Sequence, residues 1–221
     1  MFKSSTYYHT RLRDLGNQLV SDLDGADNRA ALQRARDKQA VKDGLLTEKA
    51  YKLRDAELVA EREAILKAAD DAANSLIAEY NAATDEAHLP SASRVESGFV
   101  EILKNFDLDS DEFNSMVDLY KDKPVMLRLL DSYRENHPEL EIKTDFRYQS
   151  ASDKKAAFAQ AVNTCMGVAK NGVFSPQQKQ EHIVYHAAKA FHSVQGNPDG
   201  EMPIPPTPEA LQGNAGTSVL F

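Results

Sequence analysis

The chain has 221 residues, of which 42% are hydrophobic and 27% are charged, and its formal net charge is −8. These proportions exclude a disordered composition and predict a globular protein of one domain with appendages, or of two small domains. The negative charge argues against a general nucleic-acid binder, because no cationic excess is available to neutralise phosphates; a local basic face is the exception.

The composition also predicts a cytoplasmic protein without membrane insertion. No run approaches the roughly 18 consecutive apolar residues that identify a transmembrane helix. The first residues lack the apolar region of a signal peptide. The single cysteine, Cys165, can form no internal disulfide, which fits a reducing compartment.

Two helices are predicted at the start of the chain, over residues 5–23 and 27–42, with Asp24 and Gly25 breaking the pattern between them. The first has a narrow apolar stripe made of Tyr8, Leu12, Leu15, Leu19 and Leu23. The apolar side of the second is weak and consists of Leu32, Ala35 and Val41. Its other side is expected to be a solvated face, or alternatively a contact with an acidic partner or packaged nucleic acid, and carries Arg29, Arg34, Arg36 and Lys38.

A long helix over residues 47–88 is the central prediction, because this stretch has no Gly or Pro and is rich in strong helix formers. Thr47 is a suitable N-cap, and Pro90 ends the run. Gly44 is typical of a helix C-terminus, so a short link predicts that the preceding helix folds back as an antiparallel hairpin. The expected buried stripe has a mean spacing of about 3.67 residues, which indicates little supercoiling. It comprises Ile65, Ala69, Ala72, Leu76, Tyr80, Ala83 and Ala87.

Residues 90–194 are predicted to form a compact helical domain, distinct from an N-terminal domain over residues 1–89. Ser93 and Glu96 match a capping box for the first of three short helices, Ser110 is expected to cap the second, and Pro124 to begin the third. The expected inner side chains are Phe99, Ile102, Leu103, Phe106, Phe113, Met116, Val117, Tyr120, Val125, Leu129 and Tyr133.

The remainder of this domain is expected to hold two longer helices. Residues 140–148 alternate weakly between polar and apolar side chains and predict a small hairpin or an extended linker. Ser152 is expected to cap a helix that runs to Lys170. Ser175 and Gln178 match a capping box around Pro176, which predicts a last helix over residues 175–194.

Residues 195–221 are predicted to form an extended arm, because their prolines and glycines are incompatible with a continuous helix. One interpretation is a flexible terminus, because the ends of protein chains are commonly disordered. The other is an arm that docks on a neighbouring subunit through its three terminal apolar residues, Val219, Leu220 and Phe221.

Three patterns contain residue types found in chemical sites, and none predicts a cofactor or an enzyme. The acidic run from Asp107 to Asp111 lacks the glycine and the final glutamate of a calcium loop, so it is better explained as capping acids before a helix. His182 and His186 have the spacing of a shared metal, but no third ligand follows from the sequence. Cys165 is expected to be a small buried hydrophobe. Phosphate loops and nucleophile elbows are absent from the sequence.

The resulting plan is all-α, with a long helical hairpin, a compact helical bundle and a Pro-rich extended C-terminal tail. In the charged helical run over residues 50–87 and the arm over residues 202–221, it resembles helical bacteriophage assembly proteins of the scaffolding or capsid-associated kind. That resemblance implies a non-enzymatic, oligomeric protein that binds capsid or connector subunits, in the cytoplasm during assembly and in the virion if it is retained. The alternative is a cytosolic helical adaptor with a single protein partner.

Overall fold

The computed structural model describes residues 5–142 and 148–195, with side chains described over residues 7–91, 93–142 and 148–188. The described part contains α-helices and one short 3-10 helix, which confirms the predicted all-α class. In chain order the α-helices are α1 (Ser5–Lys42), α2 (Glu48–His88), α3 (Ser97–Asn105), α4 (Ser110–Leu119), α5 (Pro124–Asn136), α6 (Ala151–Lys170) and α7 (Pro176–Gln195).

Helix α1 runs without interruption, so the predicted break at Asp24 and Gly25 is wrong. A glycine inside a helix costs only about 1 kcal/mol relative to alanine. Leu23, Ala26 and Ala30 are all buried around this point, so continuing the helix preserves more burial than the glycine costs.

The turn between α1 and α2 forms as predicted. Gly44 has a φ of 71°, its N–H donates to the Val41 carbonyl at 3.1 Å, and the Leu45 N–H donates to the Ala40 carbonyl at 2.8 Å. These two hydrogen bonds form the pattern that is typical of a helix ending at a glycine. The Thr47 hydroxyl then caps α2 by accepting from the Ala50 N–H at 3.2 Å. The two helices therefore form the expected antiparallel hairpin.

Helix α2 is a single 41-residue helix, as predicted, but its buried face is rotated slightly from the expected stripe. Ala73 and Thr84 are buried, whereas Ala72 is exposed and Ala83 is only half-buried. An apolar stripe along a helix can step by three and then four residues, or by four and then three. The sequence does not distinguish Ala72 from Ala73 on this basis, so contact with neighbouring helices decides which of them is buried. The buried residues are Ala69, Ala73, Leu76, Tyr80 and Thr84.

The main body is a four-helix bundle in which α6 and α7 pack on one end of the hairpin. Lys155 and Lys170 of α6 lie 2.5 Å from Asp85 and Asp70 of α2, respectively, so α6 runs antiparallel to α2. Gly16 of α1 lies directly against Ile183 of α7. The core includes an aromatic group at one end, made of Tyr8, Tyr80 and Phe158.

Helices α3–α5 form a smaller unit with a separate core, formed by Phe99, Phe113, Val117, Tyr120, Met126, Leu130 and Tyr133. The predicted domain over residues 90–194 includes α6 and α7 with these helices, whereas the buried side chains of α6 and α7 belong to the core of the hairpin bundle. Ile102 and Phe106, expected inside, are 38% and 63% exposed. Helix α3 has only nine residues, and Phe99 is its buried side chain. The division at residues 1–89, 90–194 and 195–221 stays a prediction.

Three predicted helix starts are displaced. No capping box forms between Ser93 and Glu96: α3 begins at Ser97. The Glu96 carboxylate instead accepts hydrogen bonds from Lys123 at 2.5 Å and the Tyr120 hydroxyl at 2.8 Å, and these bonds lower its pKa. Tertiary partners therefore outcompete the local cap.

The other two displaced starts are shifts along the chain. Asp109, and not Ser110, caps α4 and forms a capping box with Glu112. Ser150, and not Ser152, caps α6. Both caps begin one or two residues earlier because each has an acidic residue three positions later that completes the reciprocal bond. The predicted starts at Pro124 and at Ser175 with Gln178 are confirmed.

Two predicted segments lie wholly or partly outside the described residues. Residues 138–142 and 148–150 are turn or irregular, and the centre of the 140–148 segment is not described. The arm lies outside the described residues beyond Gln195. The docking role of Val219, Leu220 and Phe221 therefore stays a prediction. Among the helices that the structure does describe, none combines the length and the apolar character needed to cross a membrane.

Candidate interaction site on the distal hairpin

The hairpin continues well beyond the bundle that anchors it. Along α1, Leu23 is the last residue of the bundle core. Along α2, Ile65 is the first residue that packs against that core. We call residues 27–62 the distal hairpin. About sixteen residues of each helix project past the core, which corresponds to about 25 Å at 1.5 Å per residue. The projecting arms contact each other and contribute nothing to either described hydrophobic core.

Ion pairs join the two arms of the distal hairpin. From the base toward the turn, the cross-helix distances are 3.1 Å for Arg62–Asp27, 2.5 Å for Arg29–Glu61, 2.6 Å for Arg34–Asp55 and 2.9 Å for Arg54–Asp37. The hydrogen bond to Asp55 raises the pKa of Arg34. All four pairs fit a single antiparallel register of the two helices.

Asp37 is the buried member of this set. It is 4% exposed and accepts hydrogen bonds from Arg54 and from Gln33, both at 2.9 Å. The remaining pairs are more exposed, and exposed ion pairs each stabilise by only about 0–1 kcal/mol. The distal hairpin therefore has a defined register but little burial to stabilise it.

Large apolar side chains on the distal hairpin face solvent. Leu32 is 62% exposed, Leu45 82%, Leu53 60% and Val59 43%. The prediction that Leu32 and Ala35 form an inner side of the helix is therefore wrong. The reason is that the α1–α2 contact surface is occupied by the charged pairs, so these apolar groups lie outside it. Exposed apolar groups on a projecting element are typical of a protein-binding surface.

The cationic run of α1 divides into two groups. Arg29 and Arg34 make the cross-helix ion pairs, while Arg36 and Lys38 are exposed and make no ion pair with any described residue. The sequence identified these cations but missed their acidic partners. Counting outward from the Gly44–Thr47 turn would have aligned them, because paired residue numbers on an antiparallel hairpin have a nearly constant sum.

The other sequence candidates lie elsewhere and do not converge on the distal hairpin. His182 is buried, with its ring stacked on Phe174 at 4.7 Å and 6.2 Å from the ring of His186. Within the described ranges, no three His, Cys, Asp or Glu side chains are grouped so as to hold a metal ion. Asp109 caps α4, which confirms the capping interpretation of the acidic run.

Cys165 is fully buried, as predicted for a small hydrophobic residue. Its thiol lies 3.8 Å from the Ile183 carbonyl oxygen, and burial raises its pKa from 9.0 to about 12. A thiol that stays protonated at neutral pH is a poor nucleophile. Cys165 therefore contributes to packing between α6 and α7.

No protein-family model, curated protein or solved structure matches this chain.

Proposed function

We propose that this chain is a non-enzymatic structural protein that binds protein partners through its distal hairpin, and that it acts in bacteriophage capsid assembly. The observation that carries the proposal is a projecting helical hairpin with four cross-helix ion pairs, exposed leucines and little burial. An element so weakly buried gains stability when a partner covers its apolar side chains.

The bacteriophage setting is supported by the resemblance of the helical run and the Pro-rich arm to scaffolding and capsid-associated proteins. In that setting the partners are further copies of the chain and capsid or connector subunits. The protein acts in the cytoplasm during assembly and occupies the virion if it is retained. The adaptor alternative predicts the same hairpin surface with one copy of one partner.

The test compares a double variant, Leu32→Gln with Leu53→Gln, with the matched control Val173→Gln. Val173 is 87% exposed in the α6–α7 link, away from the hairpin. All three positions are exposed, so each protein should keep its circular dichroism and thermal midpoint. The mass of the native complex, measured by light scattering on protein isolated from its natural source, should fall in the hairpin variant alone.

A large multi-copy complex that depends on Leu32 and Leu53 supports an assembly protein. A complex of one copy with one partner would support the adaptor instead. If the chain is monomeric in its natural setting, or if the Val173 control has the same effect, the proposed function is wrong.

A further inference from the structure

Two regions of opposite charge lie at opposite ends of the molecule. We call residues 34–55 the hairpin tip; it contains seven Lys or Arg and four Asp or Glu, a formal net charge of +3. We call residues 95–142, which comprise α3–α5 and their flanking turns, the acidic unit. It contains five Lys or Arg and twelve Asp or Glu, a formal net charge of −7. The basic tip therefore belongs to a chain whose overall charge is −8.

The charges of the hairpin tip are available to a partner. Five of its cations are exposed and make no ion pair with any described residue: Arg36, Lys38, Lys42, Lys49 and Lys52. Leu45 and Leu53 are exposed among them. The tip thus offers cations interspersed with apolar groups.

The acidic unit offers the complementary surface. The acidic side chains that are exposed and make no ion pair within the described residues include Glu101, Asp107, Asp118 and Glu135. Phe106 and Leu119 are 63% and 70% exposed in the same unit. Each region therefore presents apolar groups beside uncompensated charge, with opposite signs.

The two regions of one molecule cannot reach each other. They are separated by α2, a continuous helix of 41 residues, which spans about 60 Å. The acidic unit lies at the C-terminal end of α2, because Arg94, the residue directly before it in the chain, lies 3.5 Å from Glu86 near the end of that helix. The hairpin tip is at the N-terminal end of the same helix.

We propose that the hairpin tip of one copy docks on the acidic unit of a second copy, in a head-to-tail contact. This inference rests on the proposed assembly function and names the chain itself as a partner. A head-to-tail contact uses two different surfaces, so it leaves one tip and one acidic unit open at the ends and generates a ring or a filament. Complementary charge sets the orientation and speeds association, and the exposed apolar groups provide burial.

Nucleic acid fits the hairpin tip less well than a protein surface does. Asp43 and Glu48 lie among its cations at the turn, where they would face phosphates. Tyr51 is the single aromatic residue of the tip, so a base-stacking platform is missing from it. The patchwork of charged and apolar groups is instead typical of a protein contact.

The test is sedimentation velocity of the full chain with charge-reversal variants. The tip variant is Lys49→Glu with Lys52→Glu, and the acidic-unit variant is Glu101→Lys with Asp118→Lys. The control, Lys67→Glu with Lys179→Glu, changes the net charge as the tip variant does but lies on the bundle. Circular dichroism establishes that each variant is folded.

The wild-type chain should self-associate, more weakly in about 1 M salt than in about 0.1 M salt, because the Debye length falls from about 10 Å to about 3 Å. Each of the tip and acidic-unit variants should raise the dissociation constant at least about tenfold, since attraction becomes repulsion at two positions. The control should not. An equimolar mixture of the two variants should regain association. In the mixture, the acidic tip of the tip variant can bind the added lysines of the acidic-unit variant.

Several results would overturn the head-to-tail contact. A wild-type chain that is monomeric at low salt refutes it, as does association that the reversals leave unchanged, or that the mixture fails to restore. Binding of a single-stranded oligonucleotide by the wild type but not by the tip variant, without self-association, would assign the tip to nucleic acid. The wider assembly function fails separately, when the native complex described above proves to be a monomer.

Discussion

Replacing Gly16 by alanine is expected to destabilise the protein, although alanine is the better helix former. A Cβ atom added at Gly16 would lie 2.9 Å from Cγ2 and 3.2 Å from Cδ1 of Ile183. Favourable carbon contacts lie at about 3.5–4.0 Å. Ile183 is fully buried and is stiff at χ1 because it is β-branched, so it cannot move aside cheaply.

The magnitude follows from two opposing effects. Helix propensity favours Gly16→Ala by about 1 kcal/mol. Forcing an extra methyl group into a packed interface costs about 1–3 kcal/mol. The net expectation is a loss of about 1 kcal/mol, which lowers the thermal midpoint by about 2–4 °C in a chain of this size.

Gly25→Ala is the matched control, because it places the same change in the same helix without a clash. The nearest atom to its added Cβ is the flexible end of Arg29, at 3.4 Å. We expect this variant to gain about 1 kcal/mol from helix propensity. Urea denaturation followed by circular dichroism should therefore give the two variants opposite signs.

Two outcomes would refute this reasoning. Equal stabilisation by Gly16→Ala and Gly25→Ala would mean that α1 does not pack on α7 at Ile183. Destabilisation by Gly25→Ala would mean that α1 is broken there, as its sequence suggests.

The remaining predictions concern Cys165 and the arm. Because the folded-state pKa of Cys165 is raised from 9.0 to about 12, its contribution to stability is present below pH 9 and is lost as the pH rises toward 12. The free energy of unfolding, measured by urea denaturation, should fall more between pH 8 and about pH 10.5 in the wild type than in Cys165→Ala, by up to about 2 kcal/mol. An equal fall in both proteins would contradict the burial of the thiol. Deleting residues 203–221 should leave the thermal midpoint unchanged and weaken partner binding through loss of Val219, Leu220 and Phe221. Unfolding of the truncated chain, or undiminished binding, would contradict the docking arm.

Local chemistry determined the helix boundaries that the sequence predicted well. The Thr47 cap, the left-handed Gly44, the start at Pro124 and the Ser175 capping box all depend on residues within a few positions of one another. The predicted cap at Ser93 failed because Glu96 has stronger partners in Tyr120 and Lys123, which are distant in sequence.

The candidate site was predictable only in part. The cationic residues of the distal hairpin are visible in the sequence, and so is the hairpin itself. The burial of Asp37 and its pairing with Arg54 depend on the register of two helices, which composition and periodicity do not specify. The sequence also gives no sign that Leu32 faces solvent, since it fits an apolar helix side.

The residue pattern is enough to predict that the chain is helical, that α2 is one long helix, and that α1 folds back on it. Three features depend instead on packing between helices: α1 continues through Gly25, Ala73 is buried in place of Ala72, and α6 and α7 pack on the hairpin. The difference is one of magnitude, because helix propensities and single glycines contribute at most about 1 kcal/mol. Burying one large apolar side chain contributes about 1.5–3 kcal/mol, so packing prevails wherever the two disagree.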